Sequence, residues 1–571
     1  NPGGSTINTY SNCTFLMAPN AKIVINNGSH FSLRHCTVQN CNGIMWDGFY
    51  IKNGGKLTIV GSTIKDAKNA VVSENGGHYE ISNNNIFDGN FVHVKVEPYQ
   101  GNHTGFIRKS TFTCSAQLIP QYPPVIAFRT QDAITVNNVS SIVIGEKNAG
   151  NTISNCDIGI LAMNSFIRVV GNTFSNIEPP TSIAIGQPNH PRGYGIYTFS
   201  VFTSANSQHG LSTMPSNLSK NGGNTFTNVT NGIYSFNNGQ VNIARNTFDY
   251  QNNPRGRGTA ISVSEGTHPL TNKNITTNNI NNYNKGILVV TTENARVSGN
   301  IVNNLKLMPA SFSSLRAMGI RIEGGSNNVV QGNTVQNNNA SSVDWRWEGI
   351  SVSNSGSLVV SCNTIRKMGK SIRFQGVNDP VQIKKNFMHN GTAGIVLSDN
   401  GFINEQGTSG SIPATATTPG NGIPWDNEWY GFSSRHLYTM NYTNASNIYY
   451  HIFSGTSPRH PANFNNGAEN GSQSFNSKYE NGSLFMLCAI PLMSASPEYS
   501  SWMNDVAANT NANLQSPMHR NWMGRNGLYK TLKEDSLLSQ NASLQSFVQQ
   551  LETESQGVLR KVQDTLLMND Y

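Results

Sequence analysis

Short runs in which apolar and polar residues alternate recur along most of this chain, and they keep phase with one another. The fullest copies read Ile167-x-Val169-x-x-Asn172-Thr173-Phe174, Val241-x-Ile243-x-x-Asn246-Thr247-Phe248 and Leu358-x-Val360-x-x-Asn363-Thr364-Ile365. Looser copies place Cys13-Thr14-Phe15, Cys36-Thr37-Val38, Ser62-Thr63-Ile64, Asn84-Asn85-Ile86, Ser110-Thr111-Phe112, Asn224-Thr225-Phe226 and Asn333-Thr334-Val335 in the same slot. Where consecutive copies adjoin, the step is 22 to 30 residues. Alternation at period two marks short strands with one inward face, and a step in the twenties marks the coils of a solenoid.

The coil explains its residues. Inward pairs such as Val241 and Ile243 stack on their equivalents above and below, and each buried side chain contributes about 1.5–3 kcal/mol. The slot Asn is expected to take the left-handed backbone of a tight corner and to hydrogen-bond from coil to coil. A second repeated element, Gly-Ile, recurs at Gly159-Ile160, Gly195-Ile196, Gly232-Ile233, Gly286-Ile287, Gly319-Ile320, Gly349-Ile350 and Gly394-Ile395. It is expected to open the next strand, with Gly at the bend and Ile inward. A leucine-rich repeat would need more Leu, and a disordered Asn-rich tract would not hold phase for nearly 400 residues. The pattern predicts an all-β solenoid, a parallel β-helix, over residues 1–400.

Long insertions at 114–135 and 177–222 are expected to project as loops. A Gly/Ser/Thr/Pro linker and a β-rich capping segment follow over 401–495, because an open β-helix end leaves strand edges to be covered. Residues 496–571 turn to helix formers, with a stripe of Leu544, Phe547, Val548, Leu551, Val558, Leu559, Val562 and Leu566 that predicts a small α-helical tail. That stripe would pack as a hairpin or against another chain, and attachment to a partner or to a longer parent polypeptide is the expected role.

Met45-Trp46-Asp47-Gly48-Phe49-Tyr50, Gly54-Gly55-Lys56-Leu57-Thr58-Ile59-Val60 and Ser62-Thr63-Ile64-Lys65-Asp66-Ala67 follow one another in the first coils. In these the sequence resembles a large family of right-handed parallel β-helix proteins of Bacteroidota. The resemblance implies export to the cell surface, usually by the type IX secretion system, and an extracellular or surface location.

Charge adds little. Net charge is +8 with 12% charged residues and no dense Lys/Arg block, which argues against nucleic acid as a partner. No apolar run reaches membrane-spanning length. Seven cysteines include no CxxC pair, and no His cluster suggests a metal or cofactor site. Cys13 and Cys36 share one slot on adjacent coils, so either a disulfide or two stacked thiols would fit there.

Parallel β-helices carry many polysaccharide-processing enzymes, but fold does not decide activity. Inverting hydrolysis needs paired carboxylates, and the sequence holds neither an Asp-Asp pair nor Gly-His-Gly. Asp132, Asp157, Glu265 and Glu323 are not expected to cluster, so no catalytic residues are assigned. Aromatic side chains give the binding signal. Trp345 and Trp347 alternate around Arg346, and Trp425 and Trp429 flank a junction; they are candidates for stacking on sugar rings or for packing beneath loops. Ser536 and Thr565 fall in Asp-Ser/Thr-apolar triplets that match a Bacteroidota O-glycosylation pattern. The expected function is a structural or adhesive surface protein whose partners are surface polysaccharide, other surface proteins or copies of itself. The alternative is a carbohydrate-active enzyme or binding module.

Overall fold

The computed structural model describes residues 6–99, 105–121, 129–179, 191–201, 209–214, 223–251, 258–265, 273–307, 316–338, 343–404, 406, 427–432, 436–440, 448–453, 464–465, 475–480 and 549. Three parallel sheets of 14, 15 and 16 strands run side by side, and the chain visits them in turn. The first coil sets the order: Thr6–Ser11 in the first sheet, Thr14–Met17 in the second and Lys22–Ile25 in the third. Each later coil stacks on the one before, which makes a right-handed parallel β-helix. At about 4.8 Å per coil, the 14 complete coils form a shaft on the order of 65 Å long.

One buried cluster runs from Ile25 to Leu437. Its aromatic row includes Phe174, Phe226 and Phe248, whose rings stack at 4.7 and 4.5 Å with interplanar angles of 4° and 9°. The Gly of Gly-Ile serves this row, and not a bend: a Cβ on Gly195 would lie 2.7 Å from Phe226, and one on Gly232 would lie 2.5 Å from Phe248. Neither glycine has a positive φ.

The slot residues form a continuous ladder. Asn172 N–H donates to Asn224 Oδ1 at 3.0 Å, Asn224 to Asn246 at 3.0 Å, and Asn246 to Asn278 at 3.0 Å. The chain of bonds passes through Asn300, Asn333, Asn363 and Asn386 to Asn427. Corner strain does not fall on these residues. The preceding one takes it, as at Asn84 (φ 64°), Arg245 (59°) and Cys362 (57°). Register also moves one reading by a residue: Phe87 pairs with Ile64 and Phe112, so Asn85, not Asn84, fills the slot. Both positions favour Asn, Asn84 for its backbone and Asn85 for its amide.

The ladder continues past 400. Glu428–Tyr430 and Leu437–Met440 extend the second and third sheets, and Phe464–Asn465 adds a further strand. The stretches 114–135 and 177–222 are not single insertions either, since they supply all or part of the wall strands Thr130–Asn137, Tyr194–Phe199 and Gly210–Ser212. The expected helical tail over 496–571 lies outside the described residues, apart from Gln549, which is helical.

Cys13 and Cys36 carry free thiols. Cys13 N–H donates to Cys36 Sγ at 3.5 Å and Cys36 N–H to Ser62 Oγ at 3.1 Å, so the cysteines are the first two rungs of the same ladder. Cys362 is disulfide-bonded, with its partner outside the described residues.

Candidate functional site

In the third sheet the residues flanking Gly-Ile point outward, and parallel register stacks them in columns. One column runs Tyr194, Asn231, Thr259, Lys285, Met318, Glu348, Lys370. The neighbouring one runs Tyr197, Tyr234, Ser262, Leu288, Arg321, Ser351, Arg373. Longer connections 178–193, 250–258, 304–316 and 337–346 all enter this sheet at the same corner of the coil.

Between these columns lies a trough of about 440 Å³, lined by Asn231, Thr259, Asn284, Lys285, Arg316, Arg321, Arg373 and Gln375, among others. Upstream of it the outer wall is aromatic. Tyr197 and Tyr234 stack at 4.9 Å and 13°, and Tyr194 meets each edge-on at 5.0 and 5.8 Å. Burial raises the pKa of all three phenols, so they stay neutral donors.

The other end is ionic. Glu348, fully buried, accepts from Arg316 at 3.1 Å and Arg373 at 3.0 Å, with Lys370 Nζ at 3.6 Å. Arg373 also reaches Asp399 at 2.8 Å and Ser398 Oγ at 2.7 Å, and Arg321 pairs with Glu323 at 2.9 Å. Lys285 makes no ion pair among the described residues; burial, with Arg321 adding to it, lowers its pKa while Glu323 opposes. Burial likewise pushes Lys370 down to about 8 against the attraction of Glu348. Five cations therefore share three carboxylates, and the surplus faces the trough. Such a surface can hold an anion by charge-assisted hydrogen bonds. Proton abstraction is another matter: Lys370 is 1% exposed, donates to Trp345 O at 2.8 Å and sits 4.4 Å from the centre of that ring.

Three of the candidate tryptophans lie among the described residues, and they sit apart. Trp345 lies in a turn and packs with Ala393, Val396 and Tyr438 on the outer wall, whereas Trp347 begins a strand and packs against the interior cluster. Trp429 is 4% exposed in the inward row beside Met388. Its run Asn427-Glu428-Trp429 is the slot motif, which explains its burial. Trp425, Ser536 and Thr565 lie outside the described residues. The four acids stay apart, each with its own partner: Asp132 with Thr135, Asp157 with Arg129 and Arg192, Glu265 with Lys273, and Glu323 with Arg321. The tyrosines and cations of the third sheet were missed because each was read alone. Their common signal is position, directly before or two residues after Gly in Tyr194-Gly195-Ile196-Tyr197, Asn231-Gly232-Ile233-Tyr234, Lys285-Gly286-Ile287-Leu288 and Met318-Gly319-Ile320-Arg321.

A family model described as "Right handed beta helix region" matches residues 3–86, 21–200 and 271–411. No curated protein matches the chain. Among solved structures, a mannuronic acid specific polysaccharide family 6 lyase from human gut microbiota is similar at 10% identity and a TM-score of 0.25, over 95% of this chain and 100% of that one. PfbA, a surface adhesin of Streptococcus pneumoniae, is similar at 11% identity and a TM-score of 0.19, over 76% of this chain and 86% of that one. Likeness at this level says nothing of what the present chain binds.

Proposed function

Because the chain belongs to the right-handed β-helix family, whose scaffold leaves activity to the site, we propose that it is a secreted or surface-displayed shaft that holds saccharide along the outer face of its third sheet without cleaving it. The observation that carries this reading is the stacked pair Tyr197 and Tyr234 leading into a trough edged with amide, hydroxyl and cationic groups. Tyr197 and Tyr234 cover each other's faces, so a sugar meets their edges and phenol hydroxyls, while Asn, Thr and Gln suit its hydroxyls. Export is supported by the bonded state of Cys362, since disulfides persist in oxidising surroundings. A long shaft with its site on one side also suits adhesion within a larger surface assembly.

Cleavage is the second reading, favoured by the lowered pKa of Lys370. Its burial beneath Trp345 and the capture of Glu348 by cations speak against it. Incubation of the protein with neutral and acidic polysaccharides should give retention on the polymer and no new reducing ends or unsaturated products. Released products would reject the non-enzymatic reading, and absence of any retention would reject saccharide binding.

A further inference from the structure

We propose that the trough selects an acidic glycan, seating a carboxylate or sulfate ester of the polymer among Lys285, Arg316 and Arg321 while another unit of the same polymer meets the edges and hydroxyls of Tyr197 and Tyr234. This rests on the saccharide-binding reading and adds the ligand's charge. The charge count carries it. Glu348 is one carboxylate shared by Arg316, Arg373 and Lys370; Glu323 serves Arg321; Asp399 serves Arg373. No described carboxylate pairs with Lys285, although it is half-buried and stacked one coil from Met318 in the trough wall. A partly desolvated cation without an ion pair is costly, and an anionic ligand offsets that cost.

Spacing sets the length of the ligand. Tyr234 and Arg321 share one column three coils apart, which is about 14 Å at the usual strand spacing. A single sugar cannot touch both, so the ligand is an oligomer lying parallel to the shaft axis. Glycan is favoured over nucleic acid because the cations gather at one end of the trough. A polyphosphate backbone would need them along its whole length.

The test is equilibrium binding of the full chain to polygalacturonate, dextran sulfate, neutral dextran and single-stranded DNA. At least one acidic glycan should bind about tenfold more tightly than dextran, as expected for one added charge-assisted contact. Binding to only one of the two acids would support the proposal and name the substituent. Lys285→Gln should remove most of that preference and Lys285→Arg should keep it, with circular dichroism unchanged in both. Tyr234→Ala should weaken acidic and neutral glycans alike. Equal binding of acidic and neutral glycans, or an unaltered preference in Lys285→Gln, would overturn the proposal and leave the saccharide reading standing. Failure to bind any glycan would overturn both. Tightest binding to DNA would overturn the choice of glycan.

Discussion

The first five rungs of the interior ladder are Cys13, Cys36, Ser62, Asn85 and Ser110, whereas every rung from Asn151 to Asn427 is asparagine. Both regions keep the same coil, and both meet the same demand, an acceptor for the N–H of the preceding coil. They differ in what else the side chain does. Ser62 and Ser110 return their proton to their own coil, to Val60 O at 3.0 Å and Arg108 O at 3.1 Å. Asn172 instead donates back to Ile144 O at 2.9 Å and forward to Asn224 Oδ1 at 3.2 Å, so it ties three coils together. A serine hydroxyl closes a corner; an amide also cross-links the stack.

The largest break would come from the apolar rows that both regions share. Ile243 is fully buried. Ile243→Asp should cost more than about 4 kcal/mol by placing an unpaired charge in the core. A denaturation midpoint near that of the parent would show that the row does not hold the shaft. Next comes the ladder itself. Asn246 accepts from Asn224 N and Nδ2 and donates to Asn278, Ala244 and Thr213, so Asn246→Ala strands several buried groups at once and should cost about 3 kcal/mol. Ser62→Ala should cost about 1 kcal/mol by the same measure, since it removes fewer bonds. Equal losses at the two rungs would erase the distinction between amide and hydroxyl.

The N-terminal region also carries a titratable ring in the interior. His93 stands where later coils have the Gly of Gly-Ile, opposite Ala133, and packs beside the stacked rings of Phe87 and Phe112 with Asn90 Nδ2 donating to its Nδ1 at 3.0 Å. Burial lowers its pKa to about 3, with Asp88 opposing weakly. The unfolded chain takes up this proton near pH 6.5 and the folded chain near 3, so the folded state is favoured above that window and loses stability as pH falls through it. At pH 5 the loss should be about 2 kcal/mol. Comparing denaturation at pH 7 and pH 5 in the parent and in His93→Gln checks this. An identical fall in both proteins would assign the proton to another group.

Period and phase were legible because they are forced by backbone repetition: Val241, Ile243 and Phe248 are buried as the alternation requires. What failed were roles that one residue type fills for two reasons. Asn marks both the left-handed corner at Asn84 and the amide rung at Asn85. Gly in Gly-Ile makes room for Phe226 and does not turn the chain. Tryptophan serves packing as readily as binding, so residue type alone leaves both roles open at Trp345, Trp347 and Trp429. The trough was invisible for a different reason: Lys285, Arg321 and Arg373 are far apart in sequence and meet only when their coils stack.

The smallest expected effect separates the two readings of the N-terminal cysteines. In a bridged pair, Cys36→Ser would remove a cross-link and cost about 2–4 kcal/mol. In the structure both thiols are free, and the one proton of Cys36 Sγ has Arg34 O at 3.3 Å and Tyr10 O at 3.4 Å as acceptors, while the sulfur accepts from Cys13 N. Serine makes the corresponding bonds one coil later, where Ser62 donates to Val60 O and accepts from Cys36 N. Cys36→Ser should therefore change stability by less than about 1 kcal/mol, the hydroxyl replacing a weak thiol acceptor with a stronger one at a small loss of apolar volume. A larger loss, together with a Cys13–Cys36 linked peptide in a non-reducing digest of the parent, would replace the stacked rungs with a bridge.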